Sequence, residues 1–194
     1  MSKRESLDQA INAVTPDIVG LCETKLGRLS KPKIQGYETV HGNMKRGKEG
    51  LLVAVREGTF VSIEKMTPDT DEDGDNNILA VQVKYPKFNL RVIVAHAPQE
   101  TANPDVRERF FQSLKLETER GQLNGESILV LGDMNGRLDS EKDKEDKEYK
   151  ENLSPNKENS SPNGKALKEY LTEHGLLLLS VPYQGQKLHK GSPE

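Results

Sequence analysis

The sequence predicts an α/β sandwich of stacked, mainly antiparallel sheets with helices on the outside. Three observations predict it. Five short β-type runs follow one another between Tyr37 and His96. Helix-type segments stand before and after that block. Two strongly apolar runs, Ile18–Cys22 and Ile128–Leu131, lead directly into the acidic stretches that hold Glu23 and Asp133. A carboxylate at the end of a buried strand marks a candidate site, because nothing apolar needs it there. Two such ends side by side would make an acidic pocket for a divalent cation.

The elements follow in order. Leu7, Ala10, Ile11 and Val14 keep helical spacing, so Glu5 to Val14 reads as a short amphipathic helix that Thr15-Pro16 stops. Ile18 to Cys22 reads as a buried strand and Lys25 to Lys33 as a polar loop. Tyr37–His41, Gly50–Arg56, Phe60–Met66, Ile78–Tyr85 and Leu90–His96 read as strands whose short links suggest an antiparallel meander. Asn103-Pro104-Asp105 opens a helix with a capping side chain and a proline in its first turn. Its apolar face carries Val106, Phe110 and Leu114, with Glu117 in line; it runs to about Arg120, and Gly121–Glu126 reads as a turn. Ser127–Leu131 is apolar enough to be a strand buried on both faces. Pro162-Asn163-Gly164 leads into a helix carrying Leu167, Tyr170 and Leu171, ended by Gly175. Leu176–Ser180 reads as one more buried strand, followed by a polar tail from Pro182.

Composition bounds the rest. The 194 residues fit a single domain, 1–194, interrupted by a charged low-complexity insert at 139–161 that buries almost nothing. The apolar share of 33% is lean and the charged share is 30%. A net charge of -3 gives no global case for nucleic-acid binding, so that role needs a local basic surface such as Lys45-Arg46-Gly47-Lys48. Cys22 is the only cysteine, which excludes an intramolecular disulfide and a cysteine-based zinc site. A reduced intracellular compartment, nucleus or cytoplasm, fits. No apolar run is long enough to span a bilayer, and the charged start Met1–Ser6 is no secretory signal. Asp71–Asp75 lacks the spacing of a calcium loop and reads as a solvated turn.

Glu23 follows an apolar run and can reach a hard cation with one oxygen; the alternative is an ion pair with Lys25. In Gly132-Asp133-Met134-Asn135 the glycine lets the chain leave the strand tightly, Asp133 can orient or deprotonate a water, and Asn135 can donate its amide to a phosphate oxygen. The alternative is a common Gly-Asp turn with an Asx cap. His96, at the end of Val92–His96 before Ala97-Pro98-Gln99, can hydrogen-bond a phosphate or simply be satisfied by backbone.

The ordered set Pro16-Asp17-Ile18-Val19-Gly20-Leu21-Cys22-Glu23-Thr24, Ala97-Pro98-Gln99 and Leu131-Gly132-Asp133-Met134-Asn135 resembles the endonuclease/exonuclease/phosphatase superfamily, and most of all the apurinic-type endonuclease domains of non-LTR retrotransposons. Ser161–Leu179 and Lys190–Glu194 resemble the retroelement branch as well. The resemblance implies a four-layered α/β sandwich and Mg²⁺-dependent cleavage of phosphodiesters, with Mn²⁺ as a substitute. It implies Glu23 as the metal ligand, Asp133 as the residue that activates water and Asn135 as the binder of the scissile phosphate. His96 falls where the family usually has a phosphate-contacting tyrosine. DNA is the implied partner, with a reverse transcriptase in the full-length gene.

The resemblance also implies a chain truncated at both ends. The family's opening strand with its Asn, and its closing Asp and Asp-His pair, have no counterpart; His189 reads as a tail residue. Loss of one transition-state donor costs about 10²–10³ in rate, so a fragment without turnover is expected. The competing functions are a phosphoesterase of the same fold with a non-nucleic substrate, and a catalytically dead module that binds nucleic acid or protein.

Overall fold

The structure, a computed structural model, describes residues 3–25, 33–42, 50–67, 77–138 and 160–179. The basic loop Lys45–Lys48, the acidic stretch Asp71–Asp75, residues 139–159 of the insert and the tail from Pro182, His189 included, lie outside the described residues. The elements are α1 (Lys3–Val14), β1 (Ile18–Leu21), β2 (Tyr37–His41), β3 (Leu52–Arg56), β4 (Ser62–Lys65), β5 (Ile78–Lys84), β6 (Asn89–His96), α2 (Pro104–Leu123), β7 (Ser127–Asp133) and α3 (Pro162–Glu173).

The strands form two sheets, in the orders β1-β3-β2 and β4-β5-β6-β7. Every pairing is antiparallel except β6 with β7. That parallel pair becomes possible because α2 carries the chain back before β7 starts. The single meander expected from Tyr37 to His96 is therefore split. It breaks between β3 and β4, and only β4-β5-β6 is a true meander.

Strand periodicity builds four layers. Leu52 and Ala54 face α1, packing with Ile11 and Tyr37. Val53 and Val55 face the second sheet and meet Leu79, Val81, Val83, Val92 and Val94. On that sheet's other face, Ala80, Ile93 and Ala95 meet Phe110, Phe111 and Leu114 of α2 and Leu167 and Tyr170 of α3. The order is helix, sheet, sheet, helices, as the sequence predicts. Each fully buried Val or Leu is worth about 1.5–3 kcal/mol over an exposed one, so the inter-sheet layer is the main apolar reservoir.

Several expectations need correction. β1 and β7 are only half-buried, because both are sheet edges rather than central strands. Leu176–Leu179 form no strand, and Leu177 and Leu179 are exposed, since no neighbouring strand is there for them to pair with among the described residues. Val14 is exposed, and α1 docks through Leu7 and Ile11. α2 does not stop at Arg120 but continues through Gly121 to Leu123. The buried side chain of Arg91 explains the glycine: a Cβ on Gly121 would lie 2.8 Å from Arg91 Cδ and 2.5 Å from Ile128 Cδ1.

Arg91 is the charged exception in this core. Its Nε donates to Glu126 Oε2 at 2.6 Å and its Nη1 to Glu117 Oε2 at 3.2 Å, while Gln82 also donates to Glu126. The network ties β5 and β6 to α2 through Glu117 and to the residue before β7 through Glu126. It therefore helps fix where β7, and with it Asp133, meets β6.

Candidate active site

The sequence-predicted site residues Glu23, His96, Asp133 and Asn135 all lie at or just past strand ends, and the fold brings these ends together. In the parallel register of β6 and β7, His96 stands directly beside Asp133, and Ala97 N donates to Asp133 O at 2.8 Å. The first sheet lays its β1 edge against the β7 edge of the second. A Cβ on Gly20 would lie 2.9 Å from Val94 Cγ2 and 3.0 Å from Leu131 Cβ, so glycine permits this close approach. Cys22 Sγ donates to Ala95 O at 3.5 Å and fastens the end of β1 above the end of β6.

Glu23 follows with a left-handed backbone, φ 53°, and Thr24 N donates to Gly50 O at 3.0 Å. The turn swings the Glu23 carboxylate back over the site. Among the described residues the Glu23 carboxylate meets not Lys25 but the His96 ring, with Nε2 3.6 Å from Oε1. Glu23 is half-exposed and Asp133 is exposed, whereas His96 is only 6% exposed. His96 thus lies behind the two carboxylates, not at the open surface.

Asn135 completes the group. Its backbone is left-handed, φ 44°, a conformation that Asn tolerates better than most residues. Its N–H donates to Asp133 Oδ1 at 2.9 Å, forming an Asx turn that orients the Asp133 carboxylate. Its Nδ2 donates to Ala97 O at 2.7 Å and stands 3.4 Å from His96 Nε2. The bond to Ala97 O fixes which end of the amide faces inward and leaves the second N–H aimed at the ring. Asn163 and Ser161, given no site role by the sequence, lie against the same loop. An open groove of about 580 Å³ runs along the β1 and β7 edges to Asp133, past Pro16, Gly20, Cys22 and Leu131.

Gly132 is what lets β7 deliver Asp133. Its φ is 139°, and a Cβ would sit 1.8 Å from the backbone oxygen of Ala95. No side chain fits without parting β6 from β7. Gly132→Ala is expected to destabilise the fold by about 2–4 kcal/mol, measured by urea unfolding, through overpacking and backbone strain together.

A divalent cation fits the donors present. Mg²⁺ is commonly held by one or two carboxylates with waters completing its shell; Glu23 offers an exposed carboxylate against the His96 ring, and Asp133 offers a second exposed one in register with His96. The set is not a closed cage. Among the described residues, the only His and carboxylate trio with ligand atoms within 4.8 Å of one another is Glu119, Glu173 and His174, on the α2–α3 face. No helix among the described residues is long and apolar enough to cross a membrane.

The model of the Endonuclease/Exonuclease/phosphatase family matches residues 2–172, nearly the whole of the described chain. The chain belongs to this family. Among solved structures it is similar to an AP endonuclease from Leishmania major, at 15% identity and a TM-score of 0.62, over 89% of this chain and 61% of that one. It is also similar to a 3′ phosphatase from Neisseria bound to a product DNA hairpin, at 18% identity and a TM-score of 0.59, over 87% of this chain and 65% of that one. At these identities the likeness establishes the fold. The chain of this family member spans about three fifths of the length of those two proteins.

Proposed function

We propose that this chain is a Mg²⁺-dependent phosphodiesterase domain of the DNA endonuclease type, related to those of non-LTR retrotransposons. The observation that carries the reading is the convergence of Glu23, Asp133 and Asn135 at one open end of the two sheets, with His96 beneath them. Family membership supports hydrolysis of phosphoesters in general. The DNA hairpin in the Neisseria structure supports DNA as the substrate, and the motif order Pro16–Thr24, Ala97–Gln99, Leu131–Asn135 supports the retroelement branch. In a retroelement, a reverse transcriptase would be the partner enzyme.

Each residue then has a chemical task. Asp133, its Oδ1 held by the Asn135 N–H, has its other oxygen free to align a water and take its proton. The water oxygen forms a bond to phosphorus as the bond to the leaving sugar oxygen breaks, and that oxygen takes its proton from solvent at the open site. The second N–H of Asn135, held in place by the bond from Nδ2 to Ala97 O, would be offered to a non-bridging phosphate oxygen, where negative charge grows. Glu23 would hold Mg²⁺, which when bound supplies positive charge to neutralise the phosphate. His96 backs Glu23 and Asn135 and keeps them apart from the apolar layer.

The test is relaxation of supercoiled plasmid by the purified chain. Nicking that requires Mg²⁺ and stops on chelation supports the reading. Nicking equal in the presence and absence of Mg²⁺ would overturn it. A second reading, a module that binds DNA without turnover, is favoured by the burial of His96 where the family resemblance expects a phosphate contact. Mg²⁺-independent DNA binding with no nicking above buffer would select it.

A further inference from the structure

We infer that Asn163 is a positioning residue for this site: its carboxamide ties the exits of β6 and β7 together and holds Asn135 in its working orientation. The inference rests on the reading above, in which Asn135 contacts the scissile phosphate.

Asn163 sits in the first turn of α3 and is 1% exposed. Its Nδ2 donates to Pro98 O at 2.8 Å, to Asn135 O at 3.0 Å and to Met134 O at 3.3 Å. An amide nitrogen has two hydrogens, so one serves Pro98 and the other is shared between the two adjoining carbonyls. Those carbonyls belong to two separate loops. One follows β6 and the other follows β7. No ladder joins the chains at this level, so the carboxamide is a bridge between them.

The bridge acts on the residue that most needs it. Asn135 is held in a left-handed conformation, and both of its flanking peptide groups are committed: its N–H to Asp133 and its carbonyl to Asn163. Its side chain is bonded to Ala97 O, one residue before the Pro98 carbonyl that Asn163 also grips. Asn135 is thus fixed to the β6 exit twice, once directly and once through Asn163.

Capping of α3 does not account for this arrangement. Ser161 is the cap, with its Oγ accepting from Gly164 N at 3.2 Å and from Arg137 N at 2.8 Å. Asn163 points away from its own helix. The approach it needs is secured by two glycines: a Cβ on Gly164 would lie 1.8 Å from Arg137 O, and one on Gly136 would lie 2.7 Å from Gly164 N. Packing alone would be served by an apolar side chain. Three carbonyls converging on one buried side chain call for a donor.

The experiment compares the full chain with Asn163→Ala, Asn163→Asp, Asn135→Ala and the double variant Asn135→Ala/Asn163→Ala. Asn163→Asp is near-isosteric but presents oxygen where the carbonyls need a donor. Asn163→Ser, which retains a small donor, serves if either fails to fold. The first readout is amide hydrogen exchange. Exchange at residues 134–137 is expected to quicken roughly tenfold in Asn163→Ala, with β5 and β6 unchanged. Unchanged exchange at 134–137, or equal acceleration everywhere, would overturn the inference, the latter showing a general stabilising role only.

The second readout is Mg²⁺-dependent nicking. Asn163→Ala should lower kcat roughly 10–10²-fold with little change in KM, and should add nothing in the Asn135→Ala background. Full multiplication of the two effects would refute action through Asn135. Should the wild-type chain fail to nick, the functional reading falls, while the exchange pattern still decides whether Asn163 holds the loop.

Discussion

Asp133→Asn is expected to lower Mg²⁺-dependent nicking by about 10³-fold, within the 10²–10⁴-fold range of a positioned general base. The variant is chosen because its side-chain oxygen can still accept the Asn135 N–H, now made to Asp133 Oδ1 at 2.9 Å. The Asx turn and the β6–β7 register are therefore retained, and circular dichroism and thermal melting should match wild type. What is lost is the anionic oxygen that faces the water. A variant that keeps half of the wild-type rate would remove Asp133 from the chemistry and leave it the turn residue that Gly-Asp sequences often supply.

The largest stability effect is expected at Glu126. Its side chain is fully buried and receives Arg91 Nε at 2.6 Å and a bond from Gln82. Glu126→Ala leaves the Arg91 guanidinium buried with only Glu117 to balance it. Removing one partner of a buried pair costs about 3–5 kcal/mol, which for a chain of this size lowers Tm by roughly 10–15 °C. Replacing Arg91 as well, with Met or Leu, should restore much of the loss, because an apolar pair needs no counter-charge. A loss under about 1 kcal/mol in Glu126→Ala would show that solvent reaches this network.

The same group sets a pH dependence. Burial pushes the Glu126 carboxyl upward, but the hydrogen bonds from Arg91 and Gln82 and the Arg91 charge outweigh it and hold the carboxyl below its ordinary value of 4.5. A carboxyl lowered in the folded state adds stability above its unfolded-state value and loses it as pH falls through the folded one. The stability difference between wild type and Glu126→Gln is thus expected to be full at neutral pH and to shrink on acidification below 4.5. Urea unfolding across that range measures it. A difference that grows in acid would contradict the assigned pairing.

The layers were legible because β3, β5 and β6 alternate which face their side chains present, and each face has an apolar partner. Edge positions were not. Ile18–Leu21 and Ile128–Leu131 are apolar enough for central strands, but sheet order arises from long-range pairing that no local run encodes. Gly121 looked like a turn because the Arg91 side chain that needs its space is thirty residues away in sequence terms. An arginine inside the apolar run Leu90–His96 was the available signal for that network.

The site was legible at its strand ends. Glu23, Asp133 and Asn135 each stand where an apolar run gives way to polar residues, and His96 ends the strand next to Asp133. Asn163 was not legible, since Pro162-Asn163-Gly164 carries ordinary helix-start chemistry and the carbonyls it serves come from two distant loops. The glycine after it is a mark of close backbone approach, but it does not name the partner.

The most direct test of a metal-assisted phosphodiester site at Glu23, Asp133 and Asn135 is a Mg²⁺ titration of plasmid nicking by wild type and Glu23→Gln. Loss of the one carboxylate charge is expected to raise the half-saturating Mg²⁺ concentration by about tenfold or more, as removal of a ligand from a hard-cation site does. Superimposable titration curves would contradict the assignment of the metal to Glu23.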